Sequence, residues 1–510
     1  MTLRTIVVCL LLFYAMTAAA QDTPLNEAVQ LIRAGHYDQA QIKLREAEQL
    51  SPHNAAIENL LGITETKLGQ IENANAHYRS AIQIDPSQAR PHRNLGFNLL
   101  NAKDYSRAET ELKEALRLAP TDHFAHYYLF LLALATGHDT EAINQASEAD
   151  ELITSDPDAA SSLIEAEIRT GHAEQALTRL GQIENAHPIA PQAEYHMGVL
   201  FTQHTAYSQA VHCFRYIAAA DPSWQNRYNL ALALLDADQP SEASSLLAVL
   251  RREQPANADI LMFLGSSLEM QQKTSEALEA YRAAIVADPD NPDRMLEYTR
   301  LLMDSDRYDE AIQAIQAGTG AAQAPLELRL AVLEMAKGDI SAARVQFQYV
   351  LTTHPEIDIA YVGLAQTYSR EANEAEALRV LESARQKLPG HYLIEYYFGL
   401  LASRVGRKQE AVDALKAAAN LAPQSPDPFF ELGKIYAQDE NWKDARVELE
   451  RVIALNPQFI PAHFQLTSVY THLGLIEVAR QESQRTHDLI DAQRDEVLEK
   501  QRQRAKSLQQ

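Results

Sequence analysis

An all-α solenoid of about fourteen stacked helix pairs is the fold class that this sequence predicts. Three observations predict it. An alanine recurs every 34 residues, with one step of 33 and one of 32, at Ala40, Ala74, Ala108, Ala142, Ala176, Ala210, Ala243, Ala277, Ala311, Ala343, Ala377, Ala411, Ala445 and Ala479. A proline keeps step with it, at Pro52, Pro86, Pro120, Pro188, Pro222, Pro255, Pro289, Pro355, Pro389, Pro423 and Pro457. Between these marks, apolar residues fall at helical spacing in two runs separated by a short polar turn. A chain of 510 residues would otherwise suggest several globular domains. The fixed period overrides that, because each unit touches mainly its neighbours and the array grows in one dimension.

The stretch Ser425–Pro457 shows the unit most clearly. Phe429, Leu432, Gly433 and Tyr436 share one face of a first helix, and Ala445, Leu449 and Val452 share one face of a second. Pro457 ends the second helix, since proline has no N–H to donate and clashes with the preceding turn. The pattern resembles the tetratricopeptide repeat: an aromatic residue, Leu-Gly, Tyr, Ala, a large apolar residue and a final Pro. Phe429 stands where that pattern usually has Trp. The resemblance covers Gln21 to about Asp491, nearly all of the chain after its first residues. It implies a right-handed superhelical solenoid of helix-turn-helix repeats whose first helices line a concave groove for an extended peptide or a partner helix.

From the start of the chain, residues 1–20 read as a secretory signal peptide. Arg4 supplies a positive start, Ile6–Tyr14 an apolar run, and Ala18 to Ala20 a small-residue cleavage site. The run is short for a bilayer span. Cys9 lies inside the run, away from the cleavage site, so a lipoprotein anchor is not expected. Cleavage after Ala20 leaves Cys213 alone, so no intramolecular disulfide can form. Cys213 sits in a second helix beside Phe214 and is expected to be a buried structural thiol. The formal charge of −24, without long runs of Lys and Arg, argues against nucleic acid as a partner.

The alanines place the repeats at 21–54, 55–88, 89–122, 123–156, 157–190, 191–223, 224–257, 258–291, 292–323, 324–357, 358–391, 392–425, 426–459 and 460–493. A small residue stands eighth in most of them, where two helices must approach closely: Gly62, Gly96, Gly198, Gly265, Gly399, Gly433, Ala28, Ala231, Ala331 and Ala365. Glycine recurs between the helices at Gly35, Gly69, Gly137, Gly171, Gly338, Gly406 and Gly474, suited to the left-handed conformation that ends a helix. Tyr37, Tyr105, Tyr207, Tyr308 and Trp442 follow that turn and are expected to cover the open end of the pair.

Repeats four and five depart from the pattern, with Phe130 and Ile164 at the small place, and a bend near residue 155 is weighed against a variant loop in a continuous array. Repeat nine has Thr299 there and ends in Ala317-Gly318-Thr319-Gly320-Ala321-Ala322. Residues 318–324 are therefore a candidate hinge, dividing the array into 21–323 and 324–493. Residues 494–510, with mixed charges and good helix formers, are expected to form a capping helix or tail.

No catalytic signature stands out: there is no phosphate-binding glycine loop, no His-Glu-x-x-His, no Cys-x-x-Cys and no Gly-x-Ser-x-Gly. His123 and His126, three apart on one helix, read as hydrogen-bonding residues rather than metal ligands. No metal, cofactor or catalytic residue is expected, and the repeats leave no room for a separate catalytic domain. Carrying the family's groove positions over residue by residue gives Asn59, Lys67, Arg90, Arg93, Asn94, Phe97, Phe124 and Tyr127 as the peptide-binding groove. Tyr195, Tyr228, Met262, Tyr396, Phe430 and Phe464 continue it. Arginine suits a carboxylate, and aromatic side chains give rigid contact area. The first set resembles loosely the carboxylate clamp of chaperone-binding members, although its Lys and Asn depart from the usual order. For Phe97 and Tyr127, packing against the next repeat is the expected role. The resemblance thus implies an exported, non-enzymatic scaffold or adaptor that binds a protein or peptide, in the bacterial periplasm or secreted. The alternative is an accessory subunit of envelope polysaccharide synthesis or export. An enzyme with a cryptic site comes third.

Overall fold

The computed structural model describes residues 23–186, 189–318 and 323–507. The expected signal peptide, and residues 319–322 of the expected hinge, lie outside them. Among the described residues there are 29 helices and no strand. They form fourteen successive pairs, one of which has its second helix split in two. The described residues divide into two compact units that part between Leu246 and Leu247. The division expected at 323/324 falls inside the second unit.

Repeat two shows how the sequence makes a pair. Asn54 caps the first helix, Ala55–Lys67, its side-chain oxygen accepting from the N–H groups of Ala56 and Ile57. Gly69 then takes a φ of +76°, and the second helix runs Ile71–Ile84. All seven turn glycines have positive φ. The equivalent residues of the other seven repeats do too, although none is glycine: Lys103, Thr205, Asp238, Gln272, Asp306, Ala372 and Glu440. The left-handed turn is thus set by how the helices pack, and glycine only makes it cheaper by about 1 kcal/mol.

Packing centres on two places in each repeat. The recurring alanines are all buried, thirteen at 0–1 % exposure and Ala479 at 5 %. The eighth-place glycines receive a large side chain from the second helix. A Cβ on Gly62 would come within 2.5 Å of Tyr78, on Gly96 within 2.6 Å of Leu112, and on Gly265 within 2.5 Å of Tyr281. Gly399 faces Leu415 and Gly433 faces Leu449 in the same way. These repeats therefore set a knob at the twenty-fourth place into a hole at the eighth.

Repeat four inverts the arrangement. Phe130 fills the hole at 0 % exposure, and the twenty-fourth place holds Ala146 in the same core cluster. The second helix, 14 residues long in repeats two and three, here stops at Ala146 after 8. A five-residue helix, Asp150–Thr154, completes it. The Ser147 hydroxyl donates to the Asn144 carbonyl, a local bond that competes with helix continuation. The departure near residue 155 thus takes the form of this split second helix.

The last pair also differs from expectation. Its second helix does not stop for a separate cap but runs unbroken through Ile476–Ser507, 32 residues. No proline or glycine interrupts it, so nothing in the sequence ends the helix near residue 493. Trp442 covers an open end as expected, its ring stacked on His472 at 4.0 Å.

Replacing Ala277, at 0 % exposure, by Leu should destabilise the chain by ~1–3 kcal/mol through overpacking. Glu279, two residues on and exposed, should accept Leu with a change within about 0.5 kcal/mol. Thermal melts of the two variants side by side check this, and equal losses would contradict it.

Candidate functional site

The expected groove residues of repeats two to four separate into three groups. The first is a connected network. Arg93 Nη1 donates to both carboxylate oxygens of Asp122, at 2.9 and 3.1 Å, and its Nε donates to Asn94 Oδ1 at 3.4 Å. Asn94 donates to Asn59 at 3.0 Å, and Asn59 is buried. Asp122 also caps the first helix of repeat four, accepting from the N–H groups of Phe124 and Ala125. The Arg93 guanidinium lies 5.4 Å from the centre of the Phe124 ring, which is 49 % exposed.

The second group is packing. Phe97 lies against Tyr128 with ring centres 4.7 Å apart. Tyr127 contacts Tyr128 and Phe130 and donates its hydroxyl to Asp156 at 2.6 Å. That bond holds the Asp156 carboxyl below its ordinary range, while burial and the same bond push the Tyr127 phenol up. The third group is Lys67 and Arg90, which are exposed and stand apart from the network.

This alters the electrostatics expected from the sequence. Arg90 and Arg93 do not make a joint basic patch, because Asp122 neutralises Arg93. What the network does is latch one repeat to the next. Arg93 and Tyr127 each stand fifth in their repeat, and each reaches the aspartate that ends it and caps the following helix. The signal was present in the sequence as a spacing of 29 between partners.

The sequence matches family models in four stretches. Residues 228–292, 268–331 and 396–459 match "Tetratricopeptide repeat", and residues 62–101 match "TPR repeat". These are tetratricopeptide repeats. Among curated relatives, cellulose synthase operon protein C of Pseudomonas fluorescens is 24 % identical over 279 residues, 50 % of this chain and 19 % of that protein. Cellulose synthase 1 operon protein C of Komagataeibacter xylinus is 26 % identical over 220 residues, 39 % of this chain and 16 % of that protein. The chain thus spans less than a fifth of the length of either relative. Among solved structures, the APC/C hetero-tetramer Cut9-Hcn1 aligns with 13 % identity over 89 % of this chain and 98 % of that one, at a TM-score of 0.34.

The tetratricopeptide register exposes a feature that the sequence reading missed. In this family the fourth place usually holds the aromatic residue, as Phe429 does. Here it is often polar, and its partner stands nineteen residues on, in the second helix. His77 meets Glu58 at 2.7 Å, His92 meets Glu111 at 2.6 Å, and His126 meets Gln145 at 2.7 Å. His463 is fully buried between Glu482 and the Pro457 carbonyl. His126 is thus the hydrogen-bonding residue expected of it, bonded also to the Pro120 carbonyl.

Repeat six breaks this series. Its fourth place is Glu194, at 0 % exposure, and the partner place holds Cys213. Neither carboxylate oxygen has a hydrogen-bond partner. The Cys213 thiol and the Glu184 carboxyl both lie close to it, and Glu184, itself bonded to His212 at 3.0 Å, adds a like charge. Burial pushes the Glu194 carboxyl up to about 7. It pushes the Cys213 thiol up as well, leaving the buried structural thiol expected from the sequence. Among the described residues no three His, Cys, Asp or Glu side chains converge as a metal site.

The raised value of Glu194 has a defined sign. The folded state favours the protonated acid, so this stability is complete below about 4.5 and is lost as the pH rises through about 7. Glu194→Gln should therefore remove a pH-dependent loss of roughly 2–3 kcal/mol between pH 5 and pH 8. Urea titrations of both proteins at the two pH values measure it. An unchanged pH dependence would contradict the buried, unpaired carboxyl.

Proposed function

We propose that this tetratricopeptide-repeat scaffold is an exported, non-enzymatic adaptor that holds a protein or peptide against its first helices. Tetratricopeptide-repeat proteins bind protein or peptide partners, and this chain carries the repeat through its whole described length. The observation that carries the groove reading is the exposure of large apolar side chains on first helices. Phe124 is 49 % exposed, Tyr195 45 % and Phe464 67 %, at places where an inward-facing residue would be covered. Second helices expose apolar side chains too, Val286 among them at 78 %, but an aromatic side chain on a first helix offers a partner rigid contact area. Tyr396 and Phe430 are partly covered by neighbours, Tyr396 stacked on Tyr392 and Phe430 edge-on to Phe459.

Export rests on the pattern of residues 1–20, and the periplasm is the proposed compartment. No helix among the described residues is long and apolar enough to cross a membrane. A second reading is favoured by the curated relatives, two of which are named for cellulose synthase operons. In that reading the scaffold serves an assembly that makes or exports an envelope polysaccharide, and its direct partner is still a protein.

A photo-crosslinking amino acid at Phe124 or Phe464, with Val286 as an exposed second-helix control, tests both parts in a two-membrane bacterial host. Discrete polypeptide adducts are expected at the first-helix positions only, in the periplasmic fraction, on a protein beginning at Gln21. Equal adducts at Val286, or a protein retained in the cytoplasm with Met1, would contradict it.

A further inference from the structure

The groove reading leaves open where along the array a partner's charge is read, and the second unit supplies a place. A cavity of 330 Å³ lies between the first helices of repeats eleven and twelve, Asp358–Arg370 and Tyr392–Arg404. Its apolar lining includes Val362, Leu381 and Leu401, which are themselves almost covered. Gln366 adds an amide, and Arg370 and Arg404 stand at one end. No carboxylate lines it, in a chain with 69 acidic and 45 basic residues.

The two arginines differ from several others on the chain. Arg93 is neutralised by Asp122, and Arg300 and Arg407 are each held by two or more carboxylates. Arg370 is exposed and makes no side-chain hydrogen bond or ion pair. Arg404 is 64 % exposed, and its one acidic contact is Glu374 at 3.4 Å, a carboxylate that also accepts from Ser369. Both arginines close the last turn of a helix, where a cation is favoured whether or not it binds anything. That position explains their sign. It does not explain a cavity beside them with an apolar floor and no acid.

A second cavity of 330 Å³ adjoins the first and shares Leu400 and Arg404 with it, reaching the first helix of repeat thirteen. There the cation Lys434 is paired with Glu431 at 2.7 Å. Of the cations lining the two cavities, Arg370 alone has no acidic partner, and it lines only the repeat eleven–twelve step. The volume is at the small end of ligand pockets and suits one aliphatic side chain with its flanking backbone.

We propose that this step binds an acidic, extended segment of a partner protein, resting on the groove reading above. A leucine-sized side chain enters against Leu381 and Leu401, and a neighbouring glutamate or aspartate is held by Arg370 and Arg404. Gln366 is placed to bond the segment's backbone. A peptide fits better than an acidic polysaccharide, since the cavity offers an aliphatic floor and Tyr397 as its one aromatic side chain.

The test uses the full chain and short fluorescein-labelled peptides of alternating Glu and Leu, Gln and Leu, or Lys and Leu, read by anisotropy at low and moderate salt. The Glu-Leu peptide should bind, and added salt should weaken it. Arg370→Ala with Arg404→Ala should weaken it at least about tenfold, flatten the salt dependence and leave melting unchanged. Arg379→Ala, on the second helix of repeat eleven and paired with Glu376, should change nothing. Equal binding by the double variant, or equal binding of the three peptides by the wild type, would overturn the assignment and leave the groove reading standing. Polygalacturonate binding through the same arginines, with no peptide bound, would overturn it in favour of a saccharide. The groove reading itself is tested separately, by the Phe124 and Phe464 crosslinks against the Val286 control.

Discussion

The whole array depends on how closely two helices approach within each repeat. The recurring alanine and the small eighth-place residue remove side chains from the crossing, and a single large side chain from the second helix enters the space. Dispersion and apolar burial act only at such contact distances, and a void or an extra methylene is felt directly. With the crossing fixed, the turn between the helices has one shape. Seven residues with side chains accept a left-handed backbone because the crossing holds them there. The outward first-helix faces follow from the same constraint, since the faces used for packing are unavailable to a partner.

Much of this was legible in the sequence. The period, the alanine and the glycine turns gave the pairs and their boundaries, because each marks a place where only a small or permissive residue fits. The split in repeat four was less legible. Phe130 was visible as an anomaly, but its meaning depended on Ala146, sixteen residues on, and volume compensation of that kind has no local signature. The unbroken last helix was missed for a plainer reason: a boundary was drawn from the repeat period where no proline or glycine stood.

The site was legible only in part. Sequence position placed Arg90, Arg93 and Asn59 together, and the structure does join Arg93 to Asn59 through Asn94. Charge did not transfer so well. Whether an arginine is free depends on carboxylates elsewhere, and Asp122 reaches Arg93 across a repeat boundary. Arg370 is the opposite case, an exposed arginine that no carboxylate reaches. The His–Glu pairs and the orphaned Glu194 show the converse. Their spacing of nineteen was present throughout, but it becomes visible only once the two helices of a repeat are laid side by side.

Repeat four offers the most direct test of the packing account, because nature has already exchanged knob and hole there. The measurement is a double-mutant cycle on Phe130→Ala and Ala146→Phe, with unfolding free energies taken from urea titrations. Phe130→Ala should cost about 3–5 kcal/mol by opening a cavity, and Ala146→Phe about 1–3 kcal/mol by overpacking. Together they restore the order found in repeats two, three and eight, so the double variant should recover at least about 2 kcal/mol over the sum of the single changes. Strict additivity would contradict the account, because it would mean that the eighth and twenty-fourth places do not share one space.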